Sequence, residues 1–516
     1  MDFDDDDDDD FGGDDVGRAI FSYLLRRGHI RIVNRSTALD TDEETDDHDD
    51  DDDSDFCIEE NEVEVDRSRR KRKADLPQPK KTDTSRLKES EFYQYIQRQS
   101  GQKLNSRGAG GLLSSLRERQ LSHVGDYGGF SPPKKAAVAS RYLPNTKMHE
   151  IKCSSKRYCG TFSRNGDVYV SASQDQHIRL YDVTSNDFTL FKDIEARDVG
   201  WTISDTDFSP DQNYLIYSSW CDSIYLCNIR GEHDTHIPLL LRPPSIMHFC
   251  PFSIRFSRDN QEILAGGNDG FVYIYNRARN DRTVRFFTGL TNSDGNQLIG
   301  CDVNAVAFAD ESSQIIFSGA DDGLVIAWDR RTLSETNPEP VGVLVGHSHG
   351  LTFIDPKGDG RHLISNSKDQ SIKLWDIRKF CSSREKIYQA KDRVVRDKWD
   401  YRWQKVPRHF KIGVDVAGDT SLMTYRGHEV TQTLVRCRFS PMATTGQRYI
   451  YCGSSQGKTI IYDVLTGEIV SAIGDHKSLI RDVSWHPYHP ILCTSSFDGT
   501  VGWWEYRNNQ MDDGEA

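Results

Sequence analysis

The chain has 516 residues, of which 36% are hydrophobic and 28% charged, and its net charge is −15. That length holds about three domains of about 150 residues, or one large repeat fold. No run approaches the roughly 18 apolar residues of a helical membrane span. The opening Met1-Asp2-Phe3-Asp4 lacks the basic and apolar regions of a secretory signal, so export is not expected. Eleven cysteines are scattered without a C-x-x-C pair, which argues against a disulfide framework or a zinc ribbon and for a reducing compartment.

Charge divides the chain into three parts. Residues 1–66 hold 27 Asp/Glu against 5 Lys/Arg, and residues 67–145 hold 18 Lys/Arg against 6 Asp/Glu. The remainder carries about −5 in total, which gives no reason to expect a nucleic-acid groove there. The acidic head contains two aspartate runs, Asp4–Asp10 and Asp49–Asp53, which repel themselves and leave little to bury, so it is expected to be mostly disordered. Between the runs, Val16, Ile20 and Leu24 share one helical face that ends near Gly28, predicting a short helix over 16–27. Such a helix is marginal alone in water, and suits either a partner or the chain's own body.

In the basic neck, Arg69, Arg70, Lys71, Arg72 and Lys73 form a compact cluster. Nuclear import is the expected role, with counter-charge to the acidic head as the alternative. Residues 86–121 carry two amphipathic stretches, one with Leu87, Phe92, Tyr95 and Ile96, the other with Leu112, Leu113, Leu116 and Leu121, around Gly108-Ala-Gly-Gly111. Two short helices of this kind suit a partner's groove or the surface of the body equally.

From about residue 146 to 506 a unit recurs: an apolar strand, a tight turn, and a second strand ending in an aromatic and an acid. The turn residue is Asp175, Asp222, Asp269, Asp322, Asp369, Gln456 or Asp498, and the strand end is Tyr181, Cys227, Tyr275, Trp328, Trp375, Tyr462 or Trp504. These strand ends step by 46, 48, 53, 47, 87 and 42 residues. With Gly346-His347, Gly427-His428, Trp328-Asp329 and Trp375-Asp376, the unit is similar to the WD40 family, whose blades have four strands. The expectation is an all-β, seven-bladed propeller behind an acidic-then-basic extension with short helices, and a short tail from 507 to 516. The long step is read as an insertion at about 380–420, because that stretch lacks a period-2 run and a turn signature. Each strand is expected to bury every second side chain between blades.

In WD40 folds a His, a Ser or Thr, the turn Asp and the Trp form one hydrogen-bonded chain. His347, Ser365, Asp369 and Trp375 match it, as do His476, Thr494, Asp498 and Trp504. Recurrence with the blade assigns these Ser–His–Asp sets to structure rather than hydrolysis. His486 and His489 read as a strand-end turn rather than a metal pair. No P-loop, H-E-x-x-H or G-x-S-x-G context is present, so no catalytic site, cofactor or metal is expected. Cys57 and Cys381 lack a neighbourhood that would lower a thiol pKa.

Two successive blades end in Trp-Asp-x-Arg: Trp328, Asp329 and Arg331, then Trp375, Asp376 and Arg378. Either arginine alone reads as an ordinary salt bridge. Together they offer planar guanidinium forks at one rim. This double box, with the helical neck, resembles substrate receptors of cullin-4–RING ubiquitin ligases. Further stretches are similar to the WD repeat-containing protein 23 family: Ser22-Tyr-Leu-Leu-Arg-Arg-Gly28, Glu195-Ala-Arg-Asp-Val-Gly-Trp201, Tyr217-Ser-Ser-Trp220, Val303-Asn-Ala-Val-Ala-Phe-Ala-Asp310, Ile364-Ser-Asn-Ser-Lys-Asp369, Trp399-Asp-Tyr-Arg-Trp403 and Ser421-Leu-Met-Thr-Tyr-Arg-Gly-His428. The resemblance implies a non-catalytic adaptor that docks on DNA damage-binding protein 1 and the cullin-4 core. It also implies a protein substrate, a stress-responsive basic-leucine-zipper transcription factor among them, and residence in nucleus and cytoplasm, with no direct nucleic-acid or membrane contact.

The substrate is expected on the face where the second and third strands turn, among Trp220, Asn268, Asp321, Lys368, Arg481 and Phe497. Trp220 and Phe497 would be aromatic anchors there, unless they pack on neighbouring blades. The alternative function is a WD40 scaffold in a nuclear chromatin or RNA-processing complex, which the basic cluster motivates.

Overall fold

The computed structural model describes residues 82–102, 131–184, 188–231, 233–242, 249–289 and 301–508. The predicted helix at 16–27, the aspartate runs, Cys57, the cluster Arg69–Lys73 and the stretch holding Leu112 to Leu121 lie outside them.

Seven four-stranded antiparallel sheets form the blades of a propeller. Blade one is Arg157–Phe162, Val168–Ser173, His177–Asp182 and Thr189–Glu195. Blade four is Val303–Phe308, Ile315–Ala320, Val325–Asp329 and Gly342–Leu344, and blade five begins Leu351–Pro356, His362–Ser367, Ser371–Asp376. Blade seven takes three strands from the chain's end, Ile480–Trp485, Leu492–Ser496 and Thr500–Glu505, and its fourth from before blade one. Thr146–Lys152 runs antiparallel to Thr500–Glu505, with Thr146 opposite Glu505 and Lys152 opposite Thr500. This closes the ring and leaves blade seven without a vacant outer position.

The turn signature has a local cause. Asp175, Asp269, Asp322, Asp369 and Asp498 each accept from the backbone N–H two residues on, at 3.0–3.2 Å. The following residue takes the left-handed conformation, filled by Gly270, Gly323 and Gly499 and at some cost by Gln176 and Gln370. The expectation that alternate residues would be buried is corrected for the second strands. Val168–Ser173, Glu262–Gly267 and His362–Ser367 are buried at every position, because a blade is covered on both faces by its neighbours.

Inner strands of adjacent blades are tied by side chains. Asp482 accepts from Gly160 N (3.1 Å), Asp205 from Ile254 N (3.0 Å), Asp207 from Phe256 N (2.7 Å) and Asp355 from Phe439 N (2.8 Å). Arg436 reaches from blade six to Asp482 (2.9 Å) and to Asp205 of blade two (2.7 Å). Burial works against the Asp205 charge, but Arg255 and Arg436 prevail and hold its pKa at about 2.

The long step is an insertion, not an eighth blade. It joins Ser371–Asp376 to the outer strand Met423–Arg426 and carries the helices Arg384–Arg396 and Arg408–Ile412. The first helix, capped by Ser383, buries Ile387 and Ala390 with Trp328, Val343, Val345 and Val416. At 1.5 Å per residue it is about 20 Å long, the length of a six-residue strand. It covers blade four where that blade's outer strand is only three residues long.

The neck helices Ser85–Lys88 and Glu91–Gln99 pack on the body. Leu87, Phe92 and Ile96 join Ile364, Leu374, Met423, Ile450 and Leu465 of blades five and six. Of the two readings left open for this stretch, the described part takes the intramolecular one.

Candidate functional site

The His–Ser/Thr–Asp–Trp chains are complete in blades five and seven. His347 Nδ1 meets Asp369 at 3.0 Å, its Nε2 meets Ser365 Oγ at 2.8 Å, and Trp375 Nε1 donates to the same Oγ at 2.7 Å. In blade seven His476 meets Asp498 (3.1 Å) and Thr494 (2.7 Å), and Trp504 donates to Thr494 (3.0 Å). Ser365 and Thr494 are fully buried, with their oxygens committed to these partners, so the sets satisfy buried polar groups. Burial opposes the Asp369 charge, yet His347 and further donors hold it far below the usual carboxylate range. His486 is a turn residue as read. Its Nε2 faces Gly166 O at 3.1 Å, and its Nδ1 accepts from Tyr488 N and His489 N. Burial pushes its pKa down to about 4. Among the described residues no group of three or more His, Cys, Asp or Glu is arranged to hold a metal.

The two Trp-Asp-x-Arg boxes share one local geometry. Arg331 turns back on Asp329, with its backbone N–H at 3.0 Å, Nε at 2.9 Å and Nη2 at 2.6 Å. These bonds hold Asp329 at about 2. Arg378 binds Asp376 in the same way at 3.0, 3.4 and 3.3 Å. Both arginine side chains stay open, at 66% and 53% exposure. Each fork is therefore half used inside its box, and only its outer donors and planar face remain for a partner. Trp328 and Trp375 require a correction as contact residues. Both are buried, and each indole N–H goes to a buried serine, Ser318 or Ser365. Asp376 is buried as well and acts by orienting Arg378.

The neck meets the second box. Glu91, at the start of its helix, accepts from Arg361 (2.7 Å) and Arg378 (3.4 Å), while Arg361 also binds Asp376 (2.9 Å). The Phe92 ring packs at a tilt on His362 at 4.7 Å, and Lys357 lies 4.3 Å over Tyr95, which remains 42% exposed. The helix thus leaves Glu91, Gln94, Tyr95 and Arg98 exposed, with Glu91 at Arg378.

On the opposite face, that of the second-to-third-strand turns, the expected anchors are displaced. Trp220 is 8% exposed, and its ring meets Phe252 of blade three edge to face at 6.1 Å. Phe497 packs at 4.8 Å on Tyr158 of blade one. Both therefore pack on neighbouring blades, and Trp220 is not a free anchor. Asn268 is buried and accepts from Cys250 N (3.1 Å). Arg481 is buried and donates to Ser204 O (3.1 Å) and Tyr158 O. Lys368 is buried, donates to Asp321 at 2.6 Å and lies 4.4 Å from the Tyr401 ring. Burial opposes its charge, and Asp321 more than offsets that, raising its pKa. Trp201 on this rim is 44% exposed and 5.9 Å from Tyr158. It lies in the loop entering blade two, which carries no turn signature, so repeat spacing did not single it out.

The insertion also reaches this face. Lys391 lies 3.6 Å from Asp322 at the blade-four turn, and Gln432, in the loop entering blade six, donates its backbone N–H to Tyr401 O at 2.9 Å. Cys381, at its start, directs its thiol to Ser383 O at 3.6 Å.

The WD domain, G-beta repeat family matches residues 293–329, 338–376 and 467–505. The LEC14B homolog of Prunus armeniaca is 40% identical over 405 residues, 76% of this chain and 81% of that protein. The DDB1- and CUL4-associated factor 11 homolog of Caenorhabditis elegans is 35% identical over 390 residues, 74% of this chain and 66% of that protein. Its counterpart from Caenorhabditis briggsae is 33% identical over 392 residues, 72% and 68%.

Proposed function

The chain belongs to the family of the LEC14B proteins and the DDB1- and CUL4-associated factor 11 homologs, and from that premise we propose that it is a substrate receptor of a cullin-4–RING ubiquitin ligase. The observation that carries the reading is the pair of exposed arginines, Arg331 and Arg378, ending the third strands of adjacent blades. Aspartate-centred turns fix them, buried at Asp376 and part-exposed at Asp329, so little side-chain freedom is lost when a partner binds.

In this reading DNA damage-binding protein 1 docks on the Arg331–Arg378 side, with the exposed edge of the Glu91–Gln99 helix beside it. A protein substrate, a stress-responsive basic-leucine-zipper transcription factor among the candidates, lies on the turn face around Trp201 and Phe497. The chain performs no catalytic step. It holds the substrate where the ligase core transfers ubiquitin. The cluster Arg69–Lys73 serves nuclear entry, and the protein works in nucleus and cytoplasm.

Affinity purification of the full chain from its own cells tests this. Cullin-4 and DNA damage-binding protein 1 are the expected co-purifying proteins. A ribonucleoprotein or chromatin complex without them would support the scaffold reading instead.

A further inference from the structure

Many charged groups of the described body are paired, as in Arg361–Asp376, Arg436–Asp482, Arg448–Asp463 and Lys373–Asp419. The insertion concentrates cations in one short segment. Between residues 397 and 412 it carries Lys398, Arg402, Lys405, Arg408 and Lys411 against Asp397 and Asp400. Arg402 is closed on Asp400 at 2.8 Å. The other four cations are exposed, and none has a carboxylate within ion-pair distance among the described residues. Between and beside them in sequence are two large apolar side chains that are more than half exposed, Trp403 at 54% and Ile412 at 63%.

This surface is held firmly. Trp399 packs on Phe410 at 5.0 Å and on His349 at 5.4 Å. The Trp399 indole N–H donates to Lys405 O at 3.1 Å, and Arg426 donates to Phe410 O at 3.0 Å. The segment is therefore anchored from blade five and preorganised, and its exposed side chains are not leftovers of a loose loop. Four exposed cations with no carboxylate at ion-pair distance among the described residues, interspersed in sequence with exposed apolar side chains on a fixed support, match a ligand with carboxylates beside large apolar residues.

We propose that the 397–412 segment is a docking surface for an acidic protein segment interrupted by large apolar residues. The apolar residues seat on Trp403 and Ile412, and the carboxylates pair with Lys398, Lys405, Arg408 and Lys411. The proposal deepens the receptor reading, on which its biological role rests, because it names the chemistry of the substrate element. The binding surface itself does not depend on the ligase.

The test is fluorescence anisotropy of the full chain with a labelled 12-residue peptide alternating Asp or Glu with Leu. Controls are the same peptide with Lys for the acids, the same with Ser for Leu, and a labelled 12-nucleotide uridine RNA. The expected result is saturable binding of the first probe, at least tenfold tighter than each control. Its affinity should fall at least fivefold between 50 and 300 mM salt. Combined Lys398→Gln, Lys405→Gln, Arg408→Gln and Lys411→Gln should weaken it at least tenfold, and Trp403→Ala at least threefold. Equal binding of the Lys peptide, tighter binding of the RNA, or salt-independent binding by the unaltered protein would overturn the proposal, and none of these results needs a variant to fold. Binding of the acidic peptide by a protein that retrieves no cullin-4 would overturn the receptor reading alone.

Discussion

Blades four and five carry the same box but are built differently. In blade five Trp375 ends a full His347–Asp369–Ser365 chain, and Arg378 is shared between Asp376 and Glu91 of the neck. In blade four the Trp328 indole N–H goes to Ser318 with no histidine beyond it among the described residues, and the insertion helix, not a long outer strand, covers the blade's flank. Among the described residues Arg331 pairs with Asp329 alone. The pairing of boxes seen in the sequence therefore hides an asymmetry. One arginine stands free of other elements, and the other is coupled to the neck. Whatever docks on this side meets the neck and blade five as a joint surface and blade four as a simple one.

The largest expected effect separates the two internal networks. His347→Ala removes two buried hydrogen bonds at once, to Asp369 and Ser365, while Asp369 keeps Ser348 and Ser371 as donors, and should cost about 2–4 kcal/mol. Ser318→Ala strands only the Trp328 indole N–H and should cost about 1–3 kcal/mol. Urea unfolding of both variants reads the difference, and equal losses would contradict the asymmetry.

A pH effect comes next. Burial pushes Asp207 and Asp355 up to about 6. A raised carboxyl favours the folded state less as pH climbs from the unfolded value near 4 to the folded value near 6, because the unfolded chain ionises first. Asp355→Asn keeps an acceptor for Phe439 N and removes that penalty. Its stability relative to the parent should rise by about 1–2 kcal/mol between pH 4.5 and pH 7, read from urea midpoints at the two pH values. A relative stability that does not change with pH would place Asp355 in an ordinary solvated site.

The neck contact gives the smallest effect. Glu91→Gln loosens an exposed ion pair and should change stability by less than about 1 kcal/mol. It should leave Arg331-dependent binding intact while altering the contribution of Arg378. A double-mutant cycle between Glu91 and Arg378, read as adaptor affinity, measures that coupling, and no coupling would make the two boxes equivalent.

The repeat spacing was enough to read seven blades, the turn aspartates and the two His–Ser/Thr–Asp–Trp chains, because those features are local and recur. It also placed the insertion, through the absence of strand signals at 380–420. What it missed depends on tertiary direction. Trp220 and Phe497 both stand just before a turn aspartate, but each ring packs on the next blade, on Phe252 and Tyr158. Trp328 and Trp375 belong to surface motifs by sequence and to the core by geometry. Trp201 and Trp403 lie in connections of no fixed period, where side-chain exposure follows from packing and not from spacing.

The central claim is that Arg331 and Arg378 carry adaptor docking, and calorimetric titration of the purified full chain with DNA damage-binding protein 1 tests it most directly. Losing a central interface arginine often costs about 2 kcal/mol. The Arg331→Ala, Arg378→Ala double variant should therefore bind at least about 30-fold more weakly while keeping the parent's melting temperature within a few degrees. An equally stable double variant with unchanged affinity would contradict the account.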